Sequence, residues 1–137
     1  MENFPGLNTM GVSMSRVDYA PWGVNPPHAH PRATEMIFVL EGLLEVGFVT
    51  TANRLLTRTV PEGAVFVFPR GLMHYERRVG EAPAVAISAY DSQLPGTQVA
   101  AAAMFGSAPA VPTDVLARSL QTDGGVVERI KCKFTPN

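Results

Sequence analysis

The chain has 137 residues, of which 46% are hydrophobic and 17% charged, with a net charge of −1. That is the size and composition of one globular domain with a real core, not of a disordered chain. The near-neutral balance gives no electrostatic basis for nucleic acid or an anionic membrane surface as partner, no stretch approaches the ~18 apolar residues that span a bilayer, and the one cysteine, Cys132, excludes an internal disulfide or a cysteine-based zinc cluster.

The opening Met-Glu-Asn-Phe-Pro-Gly lacks a basic patch followed by an apolar run, so it does not read as a secretory signal. Residues 12–20 alternate in character and carry β-branched and aromatic side chains, which predicts a strand. Pro21, Gly23, Pro26 and Pro27 impose a bend followed by extended backbone. The apolar run 36–40 fits a strand buried on both faces, ended by Gly42. Further strands follow at 43–49, 54–60, 64–68, 74–78 and 84–90, separated by turn signals at 50–53, 61–63 and 69–71. Short strands at this spacing predict an all-β sandwich or barrel.

The last third changes style. Residues 99–105 are alanine-rich and stop at Gly106, a short helix; 114–121 read as a second, with Thr113 as its cap and Asp114 in its first turn. After Gly124-Gly125, Val127, Ile130 and Phe134 share one helical face, while Lys131 and Lys133 read as a solvated one. The whole, 1–137, reads as a single domain: a barrel over about 10–95 and a helical appendage over about 99–134.

All three histidines fall in two segments punctuated by glycine and proline. The first contains Asn25-Pro-Pro-His28-Ala-His30-Pro-Arg-Ala-Thr-Glu35, the second Phe68-Pro-Arg-Gly-Leu-Met-His74. Histidines at i and i+2 of an extended segment point to the same face, so their imidazoles can converge on one ion. Glu35, just before an apolar strand, would be costly as a buried carboxylate without a partner. His74 from a neighbouring strand completes a set of three imidazoles and one carboxylate, which leaves about two open positions on an octahedral ion. Phe66, Phe68 and Met73 read as core packing around the site.

Both segments resemble the two boxes of the cupin superfamily, in wording close to plant germins and germin-like proteins. The likeness extends through Gly11-Val-Ser-Met-Ser-Arg-Val-Asp18, Ser92-Gln-Leu-Pro-Gly96 and Val126-Val-Glu-Arg-Ile-Lys-Cys-Lys-Phe134. The resemblance implies an all-β jelly-roll barrel with about three short C-terminal helices. It implies one manganese ion per chain, held by His28, His30, Glu35 and His74, with Asn25 as a substrate-binding position. It further implies secretion to the plant apoplast, and self-association into a hexamer with neither nucleic acid nor membrane as partner. Family members normally begin with a signal peptide and a segment carrying a disulfide-bonded cysteine pair, and this sequence starts downstream of both.

Three positions depart from the family pattern. Trp22 replaces one glycine of a Gly-Gly pair, Arg78 stands where the second box carries asparagine, and Ser15 replaces an asparagine of the oxalate-oxidising germins. Serine is shorter than asparagine and offers one donor, which weighs against oxalate oxidase. The reading is a manganese-binding germin-like protein with superoxide dismutase-type activity in defence or stress, taking a small anion. Its alternatives are an oxalate oxidase, or a non-catalytic storage-like or cell-wall protein whose metal is structural.

Overall fold

The computed structural model describes residues 4–134. The opening residues 1–3 of the segment read above for a signal lie outside them. The chain divides into two units, one up to Gln98 and one from Val99.

The first unit is built on antiparallel strands in two sheets. Its strands are β1 (Ser13–Tyr19), β2 (Val24–Ala29), β3 (Glu35–Glu41), β4 (Leu43–Val49), β5 (Leu55–Pro61), β6 (Val65–Phe68), β7 (His74–Arg78), β8 (Ala84–Tyr90) and the two-residue β9 (Gln98–Val99). One sheet has the order β1-β8-β3-β6 and the other β5-β4-β7-β2-β9. Non-consecutive neighbours in both sheets are the mark of a jelly roll. The strands form two sheets and not one closed cylinder, a refinement of the predicted barrel.

Alternation explains the core. In β3 the inward residues Ile37 and Val39 are fully buried, and with Tyr19, Leu44, Val46, Val60, Phe68, Ala84 and Ala86 they form one apolar cluster. The outward residues of the same strand, Met36, Phe38 and Leu40, are exposed. The run 36–40 is therefore not buried on both faces in this chain, because no element of the unit covers the outer side of its sheet.

Strand β2 was not anticipated. Pro26 and Pro27 cannot donate to a ladder, so the segment looks like a bend in the sequence. The structure accommodates them in an irregularity: the β2–β7 register pairs Asn25 with Glu76 and His28 with His74, and shifts between the two pairs.

The second unit holds α1 (Ala100–Phe105), α2 (Thr113–Ser119) and α3 (Gly124–Lys131). Three details differ from the sequence reading. Thr113 lies inside α2 and Pro112 occupies the cap position, with no side-chain capping bond; the Thr113 hydroxyl turns to Glu128 on α3 instead. Phe134 falls beyond the end of α3, where its ring stacks on Phe105 with centroids 6.2 Å apart. Lys131 is not a solvated residue: its ammonium donates to the Val111 carbonyl at 2.7 Å and to Thr113 Oγ1 at 2.8 Å. Among the described residues, no helix is long and apolar enough to cross a membrane.

Candidate metal centre

β2 ends one residue before His30, so His28 and His30 leave the same extended segment on one side, as their i, i+2 spacing predicts. Glu35 opens β3 and His74 opens β7. Register sets His74 directly opposite His28, and sets Glu35 between Phe68 and Tyr90 on the other sheet. The four side chains meet between the sheets. One donor atom of each lies within 4.8 Å of all the others, and each residue is only 2% exposed.

Backbone carbonyls orient two of the rings. His28 Nδ1 is 2.8 Å from the Pro26 carbonyl and His74 Nδ1 is 2.7 Å from that of Leu72. An Nδ1–H donating to a carbonyl leaves the lone pair on Nε2, and this second layer of bonds commonly fixes a metal-binding imidazole. Thr97 Oγ1 stands 3.4 Å from His30 Nδ1. Phe68 stacks on His74 at 4.4 Å between centroids, which makes it a wall of the centre as well as a core residue.

Glu35 divides its two oxygens. Oε2 faces the imidazoles, 2.9 Å from His30 Nε2 and 3.2 Å from His74 Nε2. Oε1 faces away and accepts from the Tyr90 hydroxyl at 3.5 Å. Burial pushes the Glu35 carboxyl up, but the close approach of His30, His74 and Ser88 outweighs it and holds the group well below the usual carboxylate range. Burial lowers His28, with the neighbouring His74 and His30 acting in the same direction and the Pro26 carbonyl and Glu35 opposing. For His74 burial also acts downward, but Glu35 and the Leu72 carbonyl outweigh it and raise the ring above its ordinary value.

His30 Nε2 is buried and, despite its closeness to Glu35, finds no hydrogen-bond partner in an acceptable direction among the described residues. A buried ring nitrogen with nothing to bond, aimed at a carboxylate oxygen and two further imidazole nitrogens, suits a cation at their centre. The residues present therefore fit a divalent ion.

Two residues that the sequence reading passed over belong to this region. Glu76, two positions after His74 on β7, is fully buried, and neither of its carboxylate oxygens has a hydrogen-bond partner among the described residues. Its period-2 spacing from His74 was the available signal, masked by the neighbouring Arg77 and Arg78. Tyr90 closes β8 with its ring 4.9 Å from that of His30. Asn25 is half-buried beside Glu76 and does not join the four-residue cluster. Ser15 lies with its hydroxyl 3.3 Å from that of Tyr90. Arg78 is occupied by backbone, donating to the carbonyls of Leu43, Val79 and Ala82.

A two-sheet jelly roll that gathers three histidines and a glutamate between its sheets defines a class. Residues 1–128 match the family Cupin. Germin-like protein 1-4 of Oryza sativa subsp. japonica is 72% identical over 98% of this chain and 60% of its own length. Nectarin-1 of Nicotiana plumbaginifolia is 56% identical over 99% of this chain and 59% of its own. A recombinant oxalate oxidase in complex with glycolate superimposes with a TM-score of 0.93 at 48% identity, covering 97% of this chain and 68% of that one. The chain belongs to the germin-like proteins of the cupin family, and it spans about 60% of the length of the curated relatives it matches.

Proposed function

We propose that this chain is a manganese-binding germin-like protein that acts on superoxide. The carrying observation is the centre itself: three imidazoles and one carboxylate, all buried, with the Nε2 atoms of His30 and His74 beside a single Glu35 oxygen. A redox-active divalent ion held there would supply the one-electron exchange that superoxide removal requires. His28, His30 and His74 bind through neutral rings, and Glu35 contributes the one negative charge, leaving the loaded centre at about +1. That charge favours small anions, and the dry surroundings formed by Phe68 and the neighbouring core strengthen the attraction. The choice of manganese rests on the family resemblance, since ligand type alone does not select it over zinc or iron.

Oxalate oxidation is the second reading, supported by the likeness to an oxalate oxidase bound to glycolate. Ser15 weighs against it: its hydroxyl is engaged with Tyr90 and it offers fewer donors than an amide. A non-catalytic cell-wall or storage-like role is the third. Family membership also supports secretion to the apoplast with a role in defence or stress. It supports self-association up to a hexamer, for which the exposed apolar outer face of the β1-β8-β3-β6 sheet offers a surface.

Elemental analysis of the purified protein, followed by superoxide and oxalate assays on the same sample, tests the reading. One manganese per chain and superoxide loss that disappears in His28→Ala support it. A stoichiometrically loaded protein inert toward superoxide overturns the activity, and peroxide release on adding oxalate selects the second reading. A protein without stoichiometric metal overturns the centre.

A further inference from the structure

Strands β5 and β6 are the terminal strands of the two sheets, each with a neighbour on one side only. Residues 62–64 join them, and the Ala64 amide closes that connection by donating to the Pro61 carbonyl at 3.1 Å. The two arms of the resulting arch border a groove of about 460 Å³, formed by residues 58–61 on one arm and 64–67 on the other. That volume is in the ordinary range for small-molecule sites.

Register shows which side chains look inward. On β5, Arg58 is paired with Val46 and Val60 with Leu44; on β6, Phe66 is paired with Ile37. Val46, Leu44 and Ile37 are fully buried, and directly paired residues share a face, so Arg58, Val60 and Phe66 all point to the side between the sheets. Alternation therefore sets an arginine where its neighbours in the pattern are apolar. Among the described residues its guanidinium makes no hydrogen bond or ion pair. No acidic residue borders the groove, and Glu62, in the connection itself, turns its carboxylate to the Gly42 amide.

This combination specifies an occupant. A guanidinium with all its donors unengaged matches the two oxygens of a carboxylate. One cation without a second calls for one negative charge. From Arg58 to Pro61 the strand advances roughly 10 Å, and along that path the groove is bordered by the apolar Val60, Pro61, Ala64 and Phe66. Three of these four are aliphatic. We infer that the β5–β6 arch binds a monocarboxylate with an aliphatic chain of about that length, its carboxylate on Arg58 and its chain against Val60 and Phe66. The site is separate from the metal centre: Phe66 meets Phe68 edge-on at 5.1 Å and Phe68 in turn stacks on His74, so two rings intervene.

Calorimetric titration with octanoate and butyrate, on protein before and after metal removal, tests this. Octanoate is expected to bind at least about ten-fold more tightly than butyrate, as burial of the longer chain predicts. Arg58→Gln, an exposed and conservative change, should weaken octanoate about ten-fold or more. Chelation should leave the octanoate affinity unchanged, and amide resonances of residues 58–67 should move on titration while those of the four metal-site residues stay in place. Absence of saturable octanoate binding, an unaltered affinity in Arg58→Gln, or affinity lost with the metal overturns the inference. In the first case Arg58 is only an inward-pointing charge that deters edge-to-edge pairing of β5. None of these outcomes bears on the reading of the metal centre, which elemental analysis decides.

Discussion

His74 and Glu76 leave β7 on the same side, two residues apart, and burial treats them oppositely. His74 is met by Glu35 and by the Leu72 carbonyl, while both Glu76 oxygens lie unpartnered. Burial pushes the Glu76 carboxyl up, the nearby Glu35 adds to it, and His74 and Asn25 offset only part, so the group is raised to about 8 from an ordinary 4.5.

The consequence for the metal-free protein has a definite sign. The folded state holds the Glu76 proton more tightly than the unfolded chain does, so between pH 4.5 and about 8 the unfolded state carries fewer protons and Glu76 lowers stability as pH rises. Glu35 acts the other way: its depressed carboxyl contributes stability at neutral pH that is lost on acidification. Glu76→Gln removes the first effect and keeps the shape. Thermal melting of metal-free protein should show Glu76→Gln well above the wild type at pH 9 and close to it at pH 5. Coincident curves at pH 9 would show that Glu76 ionises without cost.

Trp22 occupies a position made for glycine. The Gly23 amide bonds the Ala20 carbonyl at 2.8 Å, closing a turn in which Pro21 fits the second place and Trp22 takes the third with φ of 60°. Such turns favour glycine there, because a Cβ in the left-handed region costs about 1–2 kcal/mol. The exposed indole recovers one hydrogen bond, to Glu81 Oε1 at 3.1 Å. Trp22→Gly is expected to stabilise the protein by about 1 kcal/mol and Trp22→Val to destabilise it. Urea denaturation measures both, and a loss of stability in Trp22→Gly would mean that the indole contact outweighs the backbone strain.

Much of this was legible in the chain, for stated reasons. The strands at 43–49, 74–78 and 84–90 appear with those bounds, because glycine and proline turn signals separate them from their neighbours. The metal set was legible because His28 and His30 share a face by periodicity alone. What escaped depended on partners far away in sequence. β2 was hidden by two prolines that only a register shift against β7 can absorb. Met36 and Phe38 look like core residues until the sheet order shows that nothing in their unit covers them. Tyr90 gains its meaning only from Glu35, 55 positions earlier.

Gly47 faces Tyr75 across the β4–β7 ladder, and the close fit predicts intolerance. A Cβ at Gly47 would stand 2.8 Å from Tyr75 Cε1 and 3.0 Å from its hydroxyl oxygen. The ring cannot shift freely, since its hydroxyl donates to Glu45 at 3.2 Å beside the Arg77–Glu45 ion pair. Gly47→Ala should cost about 1–3 kcal/mol, as overpacking does. In a Tyr75→Ala background the same substitution should cost far less. Melting of the two singles and the double variant measures the coupling; simple additivity would refute the contact as the cause.

The outer face of the four-stranded sheet carries the last prediction. Register aligns Met14, Ala89, Met36 and Val67 in one row across the strands and Arg16, Ile87, Phe38 and Val65 in the next. Met36 is 49% and Val67 48% exposed, and the only charge in either row is Arg16, at an edge strand where Asp18 already neutralises it. Monomers seldom leave so continuous an apolar surface in water, and a sheet face without uncompensated charge is complementary to a second copy of itself. Met36→Glu would place buried like charges against each other in such a pairing, at a cost of several kcal/mol. Sedimentation equilibrium should then show an assembled wild type and a smaller species for Met36→Glu, with manganese content equal in the two because the centre lies on the opposite side of the sheet. A Met36→Glu protein that sediments as the wild type does would remove this face from the interface.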